Sequence, residues 1–106
     1  MYFYILQLFD RDYREDIVLA LTSAEVKRAT IVEGLNLDKT LEQDFPLFTG
    51  LFRAPDEKER YSLLFFGVVE SREVLDSFQE VLQQAGIDNS REEVYRLVVV
   101  PAERLG

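Results

Sequence analysis

The sequence contains no cysteine and no histidine. Without cysteine there is no disulfide, no thiolate metal site and no cysteine nucleophile. Without histidine the commonest general base and the commonest metal ligand are both missing, and with them every Ser-His-Asp and Cys-His arrangement. Tryptophan is absent too. No apolar run approaches the roughly 18 residues that a membrane-spanning helix needs. Residues 1–9 are apolar, but they carry no positive n-region and no small-residue cleavage site, and they run straight into Asp10, Arg11 and Asp12. That is not the pattern of a signal peptide. The expectation is a cytoplasmic protein with no membrane insertion. Positive charge is also scarce: 12 basic residues stand against 20 acidic ones, for a net charge of −8. The basic residues are scattered, so nucleic acid and anionic lipid would be repelled.

What remains is an ordinary globular balance, 47% hydrophobic and 30% charged over 106 residues. One domain of this length can bury roughly two thirds of its unfolded surface. Residues 2–9 read as a buried strand. Asp12 is placed to cap a helix, with Glu15 three residues on as a capping-box partner. Ile17, Val18, Leu21 and Ala24 recur at helical spacing, which predicts an amphipathic helix over 13–25. Residues 29–35 read as a second strand near a sheet edge. Residues 61–69 are the strongest strand signal. Ser71 can cap the next helix, and Val74, Leu75, Phe78, Val81, Leu82 and Ala85 form its apolar stripe. Gly86 stands where a helix C-terminus favours a left-handed residue. Residues 94–100 are the fourth strand, stopped by Pro101.

Between the second and third strands lies a long segment, 36–60, with no sustained period and with Pro46, Gly50 and Pro55. Loops of this length in a compact domain are usually functional or disordered. Its middle holds Phe45, Leu47, Phe48, Leu51 and Phe52, too apolar for a disordered linker. That cluster is expected either to pack on its own or a neighbouring subunit, or to dock a protein partner.

The order β-α-β-β-α-β, with two right-handed crossovers, predicts an α+β ferredoxin-like sandwich: a four-stranded antiparallel sheet with two helices on one face. The other face should be polar if it meets water. The strands do not alternate in that way. Tyr61, Leu63, Phe65 and Val69 oppose Leu64, Phe66 and Val68. Tyr2, Tyr4, Leu6 and Leu8 oppose Phe3, Ile5 and Phe9. Val94, Val98 and Val100 oppose Tyr95, Leu97 and Val99. Both faces are apolar, so the open face is expected to be covered. A homo-oligomer is the expected solution, and a monomer with the apolar loop folded over the sheet is the alternative.

At this level the chain resembles the PII-type signalling proteins, trimers of ferredoxin-like subunits. The resemblance rests on the run Glu25 to Glu33 at the second strand, on the long loop where that family carries its partner-binding T-loop, on a second β-α unit, and on the close Leu97-Val98-Val99-Val100-Pro101-Ala102-Glu103-Arg104. CutA-type proteins share the trimeric plan. The resemblance implies a homotrimer that senses a small molecule in clefts between subunits and docks a protein through residues 36–60. It places Asn36 and Lys39 at the base of that loop, Gly86 and Arg91 in the loop after the second helix, and Arg104 in the tail as ligand-binding candidates, with Arg91 and Arg104 as the anion holders. The departures are specific. Asn36-Leu37-Asp38 stands where ATP-binding members have a Gly-Phe-Gly-like segment, and the loop after the second helix has one glycine, one arginine and a surplus of acids and amides. A triphosphate would find little there to hold it.

Asp10, Asp12 and Asp16 cluster at the first turn and could take a hard cation, but they read more simply as capping and helix-dipole acids. The run Asp56 to Arg60 reads as a solvated loop end. No carboxylate pair has a buried member, as acid-base chemistry requires. The expected function is a non-enzymatic regulatory module with no cofactor. The alternative is a structural or interaction protein whose loop locks an oligomer without a ligand. An enzyme of the dimeric α+β-barrel kind, with a pocket between sheet and helices, stands third.

Overall fold

A computed structural model describes residues 1–38 and 60–106. Among these the order is β1 (Tyr2–Leu8), a 3-10 turn (Arg11–Tyr13), α1 (Arg14–Ser23), β2 (Thr30–Leu35), β3 (Tyr61–Val69), α2 (Arg72–Gln84) and β4 (Tyr95–Pro101). The four strands form one sheet in the order β2-β3-β1-β4, and every neighbouring pair is antiparallel. Both helices pack on one face. This is the ferredoxin-like α+β fold that the element order predicts.

The core lies between sheet and helices. Leu6 and Leu8 of β1, Leu63 and Phe65 of β3 and Tyr95 of β4 meet Ile17, Ala20 and Leu21 of α1 and Phe78 and Leu82 of α2. A second cluster joins Tyr4, Val69 and Leu75. The sequence stripe of α2 is realised from Val74 to Leu82, with Leu75, Phe78 and Leu82 buried, whereas Ala85 falls at the C-cap and is exposed. Ser71 occupies its N-cap position with extended backbone, but its side chain makes no capping bond. Gly86 sits just past the helix at φ 85°, the left-handed geometry expected of it.

The chain entry into α1 differs from the sequence reading. The expected Asp12–Glu15 capping box does not form. Asp10 does the capping instead: its Oδ1 accepts from the Asp12 N–H at 3.1 Å and opens the 3-10 turn. That turn uses up the residues that would have begun the helix. α1 therefore starts at Arg14 and ends at Ser23, short of the expected 13–25, and its N-cap is Tyr13 with no side-chain bond. It is also not cleanly amphipathic, because Leu19 points outward and is 64% exposed. The α1–β2 connection then turns on two left-handed non-glycine residues, Glu25 at φ 60° and Arg28 at φ 61°.

A second difference concerns Val94. It does not share a side with Val98 and Val100. The strand starts one residue later, and Val94 is fully buried in the helix-side core. Its carbonyl accepts from the Phe9 and Asp10 N–H groups, while its N–H donates to Arg91. Those bonds rotate it out of the strand's alternation. Pro101 does not stop β4 but ends it from within, opposite Tyr2 on an edge strand, where the missing N–H costs no ladder bond.

Candidate functional site

The sheet face away from the helices can be read from the register. Phe3 lies between Val68 and Val100, Ile5 between Phe66 and Val98, and Gln7 between Leu64 and Arg96. On the β2 side, Thr30 is opposite Phe66 and Val32 is opposite Leu64. Side chains of one face stack in rows across a sheet. One row, Val68–Phe3–Val100, is therefore wholly apolar, the next is apolar except for Thr30 at its β2 end, and half of the third is apolar. Phe3 and Phe66 touch at a centroid distance of 6.4 Å. Val32 remains 41% exposed, Val68 and Val98 47%, and Val100 46%. Among the described residues nothing covers this face. Its polar end is the Gln7–Arg96 pair, where Arg96 Nη2 donates to Gln7 Oε1 at 3.1 Å and the guanidinium lies 5.9 Å from the Phe9 ring centroid.

Beyond that polar end, at the root of segment 36–60, is a shallow cavity lined by Gln7, Phe9, Leu35, Asn36, Asp38 and Glu93. Asn36 lines this cavity, and its N–H donates to the Arg60 carbonyl at 2.8 Å, closing the neck of the segment. The cavity carries two carboxylates and, among the described residues, no cation. A highly charged anion has no partner on these walls. The neck bond and the start of β4 bring Glu93 to the same cavity as Asn36.

Gly86 and Arg91 come together, but as a structural clasp. Arg91 Nε donates to Glu93 Oε1 at 2.6 Å, one Nη reaches the Gly86 carbonyl at 3.5 Å, and the other reaches the Tyr13 hydroxyl at 3.4 Å. The guanidinium also lies over the Tyr13 ring at 5.8 Å. These bonds hold the Arg91 pKa well above its ordinary value, with Glu93 the main cause and Tyr13 the next. Glu93 is held below the usual carboxylate range by the same pairing. Asp88 is lowered by bonds from the Ser90 hydroxyl and N–H. Arg91 therefore ties the α2–β4 loop to the turn before α1, with its donors engaged.

Arg104 lies in the exposed tail, where its Nε donates to the Gly106 carbonyl, away from the other candidates. Lys39, Phe45, Leu47, Phe48, Leu51 and Phe52 lie outside the described residues, as do positions 56–59 of the charged run. Among the described residues no three acids converge on a point that could hold a metal ion. Asp10 is engaged in its cap, and Asp16 is an exposed acid in the first turn of α1. Arg11, by contrast, crosses from the turn to β2, donating to Glu33 at 3.0 Å while stacking over Tyr61 at 5.5 Å. No helix among the described residues is long and apolar enough to cross a membrane.

The cation that sequence reasoning missed is Arg96. In the sequence it is one arginine in an apolar strand, and only the antiparallel register sets it beside Gln7 and Phe9 at the rim of the apolar face. Comparison with protein-family models gives no match, and comparison with curated proteins gives none.

Proposed function

We propose that this protein is a non-enzymatic regulatory module of PII-like type, which assembles as a homotrimer through the open sheet face and senses a small molecule in the clefts between subunits. The observation that carries the reading is the apolar row structure of that face: Phe3, Ile5, Phe66, Val68, Val98 and Val100 side by side, four of the face's valines still nearly half exposed. Patches of several hundred Å² on a lone soluble chain mark interaction sites. Further copies of the same face are the simplest complement, because they are equally apolar and three of them turned toward a common three-fold axis close into a symmetric assembly. Segment 36–60, which carries Phe45, Leu47, Phe48, Leu51 and Phe52 in sequence, is the element proposed to dock a protein partner. The acidic cavity at its root argues against a triphosphate held in the usual manner of the resembled family and in favour of a ligand of lower charge.

Light scattering coupled to size exclusion tests the assembly. A mass near three times 12.4 kDa is expected. A stable monomer overturns it. Titration of the purified trimer with nucleotides and small carboxylates then separates a sensor from the alternative, a structural oligomer: saturable heat is expected for the former and none for the latter.

A further inference from the structure

The apolar rows of the open face can slide against other copies of themselves, but its charged rim cannot. The sheet order puts β2 and β4 at opposite edges. Both edges carry exposed valines on the open face, Val32 on β2 and Val98 and Val100 on β4. In a ring closed by rotation, each copy's β4 side faces the β2 side of the next. Arg96 belongs to the β4 edge, and the register sets it opposite Gln7, near the end of the sheet that leads to segment 36–60. It is exposed, and one of its donors is bonded, to the neutral Gln7 amide, which leaves most of the guanidinium fork free. Asp38 lies at the same end of the sheet, just past β2 and beyond the Asn36–Arg60 neck bond. It is exposed on the wall of the cavity at the segment's root and has no ion pair or hydrogen bond among the described residues. Gln7 is both a wall of that cavity and the bonded neighbour of Arg96, so carboxylate and guanidinium lie on the same side of the sheet. The other carboxylate there, Glu93, is already paired with Arg91 at 2.6 Å. One edge therefore carries an unpaired cation and the other an unpaired anion, on one face and at one end.

We infer that Arg96 of one copy pairs with Asp38 of the next, and that this ion pair fixes the register and direction of the ring; the inference rests on the open-face assembly proposed above. The free guanidinium N–H groups donate to the carboxylate, in the bidentate manner that arginine favours. Copies related by rotation meet head to tail, so each gives its Arg96 to one neighbour and its Asp38 to the other, and the closed ring leaves neither charge over. A face of valines and phenylalanines has no such direction. Opposed charges on opposite edges supply it, because a wrong register leaves both ions desolvated without a partner. The cavity at the root of segment 36–60 then receives from the neighbour the cation that its own described walls lack.

The test is a charge-swap cycle on the full chain, read by light scattering over a dilution series. Arg96→Asp and Asp38→Arg should each raise the concentration at which the assembly dissociates by roughly tenfold or more. The double variant, with the pair reversed, should recover most of that loss. Net charge alone predicts a different pattern. The chain carries −8, so Asp38→Arg, which makes it less acidic, would then tighten the assembly and Arg96→Asp would loosen it. Circular dichroism checks that each variant folds. Should charge reversal impair folding, Arg96→Gln and Asp38→Asn form a milder cycle, in which each weakens the assembly and the double variant is no weaker than either. If the unaltered chain is a monomer, this inference and the assembly reading fall together. If the unaltered chain assembles and either reversal leaves dissociation unchanged, or the double variant recovers nothing, the ion pair alone is overturned.

Discussion

Val98→Asp is the sharpest test of the open sheet face. Val98 lies in the middle row of that face, opposite Ile5, and is 47% exposed in the isolated chain. In a monomer the change is mild: an edge strand loses a β-branched residue for a poor strand former, which costs at most about 1 kcal/mol. In an assembly closed through this face the same change has two larger effects. Burying the remaining half of a valine is worth about 1 kcal/mol per subunit, and that is lost. A carboxylate is then buried without a partner, at an effective cost of several kcal/mol per subunit. Summed over three subunits this outweighs the roughly 8 kcal/mol that holds a complex with micromolar affinity. The expected result is a fall in mass to a single 12.4 kDa chain, with far-ultraviolet circular dichroism retained. Leu19→Asp, on the outer side of α1, is the control and should leave the mass unchanged. Val100→Asp, opposite Phe3, repeats the test should Val98→Asp fail to fold. Retention of the assembly by both variants refutes the argument.

Three further outcomes follow from packing. A Cβ at Gly67 would sit 3.2 Å from the Tyr4 hydroxyl and 3.4 Å from its ring, so Gly67→Ala should cost about 1–2 kcal/mol by overpacking a fixed ring. Because the Tyr4 hydroxyl is buried without a partner, Tyr4→Phe alone should leave stability unchanged or raise it, and in that background Gly67→Ala should cost measurably less, as read by urea denaturation of the four-member cycle. Burial pushes the Tyr4 and Tyr95 pKa values above 10, so the folded state holds these protons more tightly than the unfolded one; stability is intact below pH 10 and falls as pH rises beyond it, and Tyr4→Phe should flatten that fall in alkaline melts. Gly86→Ala, at φ 85° with open space around it, should cost about 1 kcal/mol from backbone strain alone and lower Tm by a few degrees.

Much of the fold was legible because it depends on local period. The stripe Val74, Leu75, Phe78, Leu82 defines α2 whatever surrounds it, and the run 61–69, apolar but for Ser62, cannot be a solvent-facing strand. The two-sided apolarity of β1, β3 and β4 was also readable, and with it the expectation of a covered face. Capping was less legible, since Asp10 and Asp12 are equivalent as sequence signals. The choice between them falls to the position of Phe9 and Asp10, whose N–H groups are held by the Val94 carbonyl more than 80 residues away.

The functional candidates divide along the same line. The sequence by itself determined the chemical inventory: no thiol or imidazole, a surplus of acid, and apolar side chains on both faces of the sheet. It could not say which arginine is available. Arg91 and Arg96 stand five residues apart in similar company, yet one is spent on Glu93, Gly86 and Tyr13 while the other keeps most of its donors beside Phe9. That difference was decided only by tertiary structure, because hydrogen bonding acts over about 3 Å and the chain segments that supply the partners are brought that close by strand register and loop closure, not by their order in the sequence.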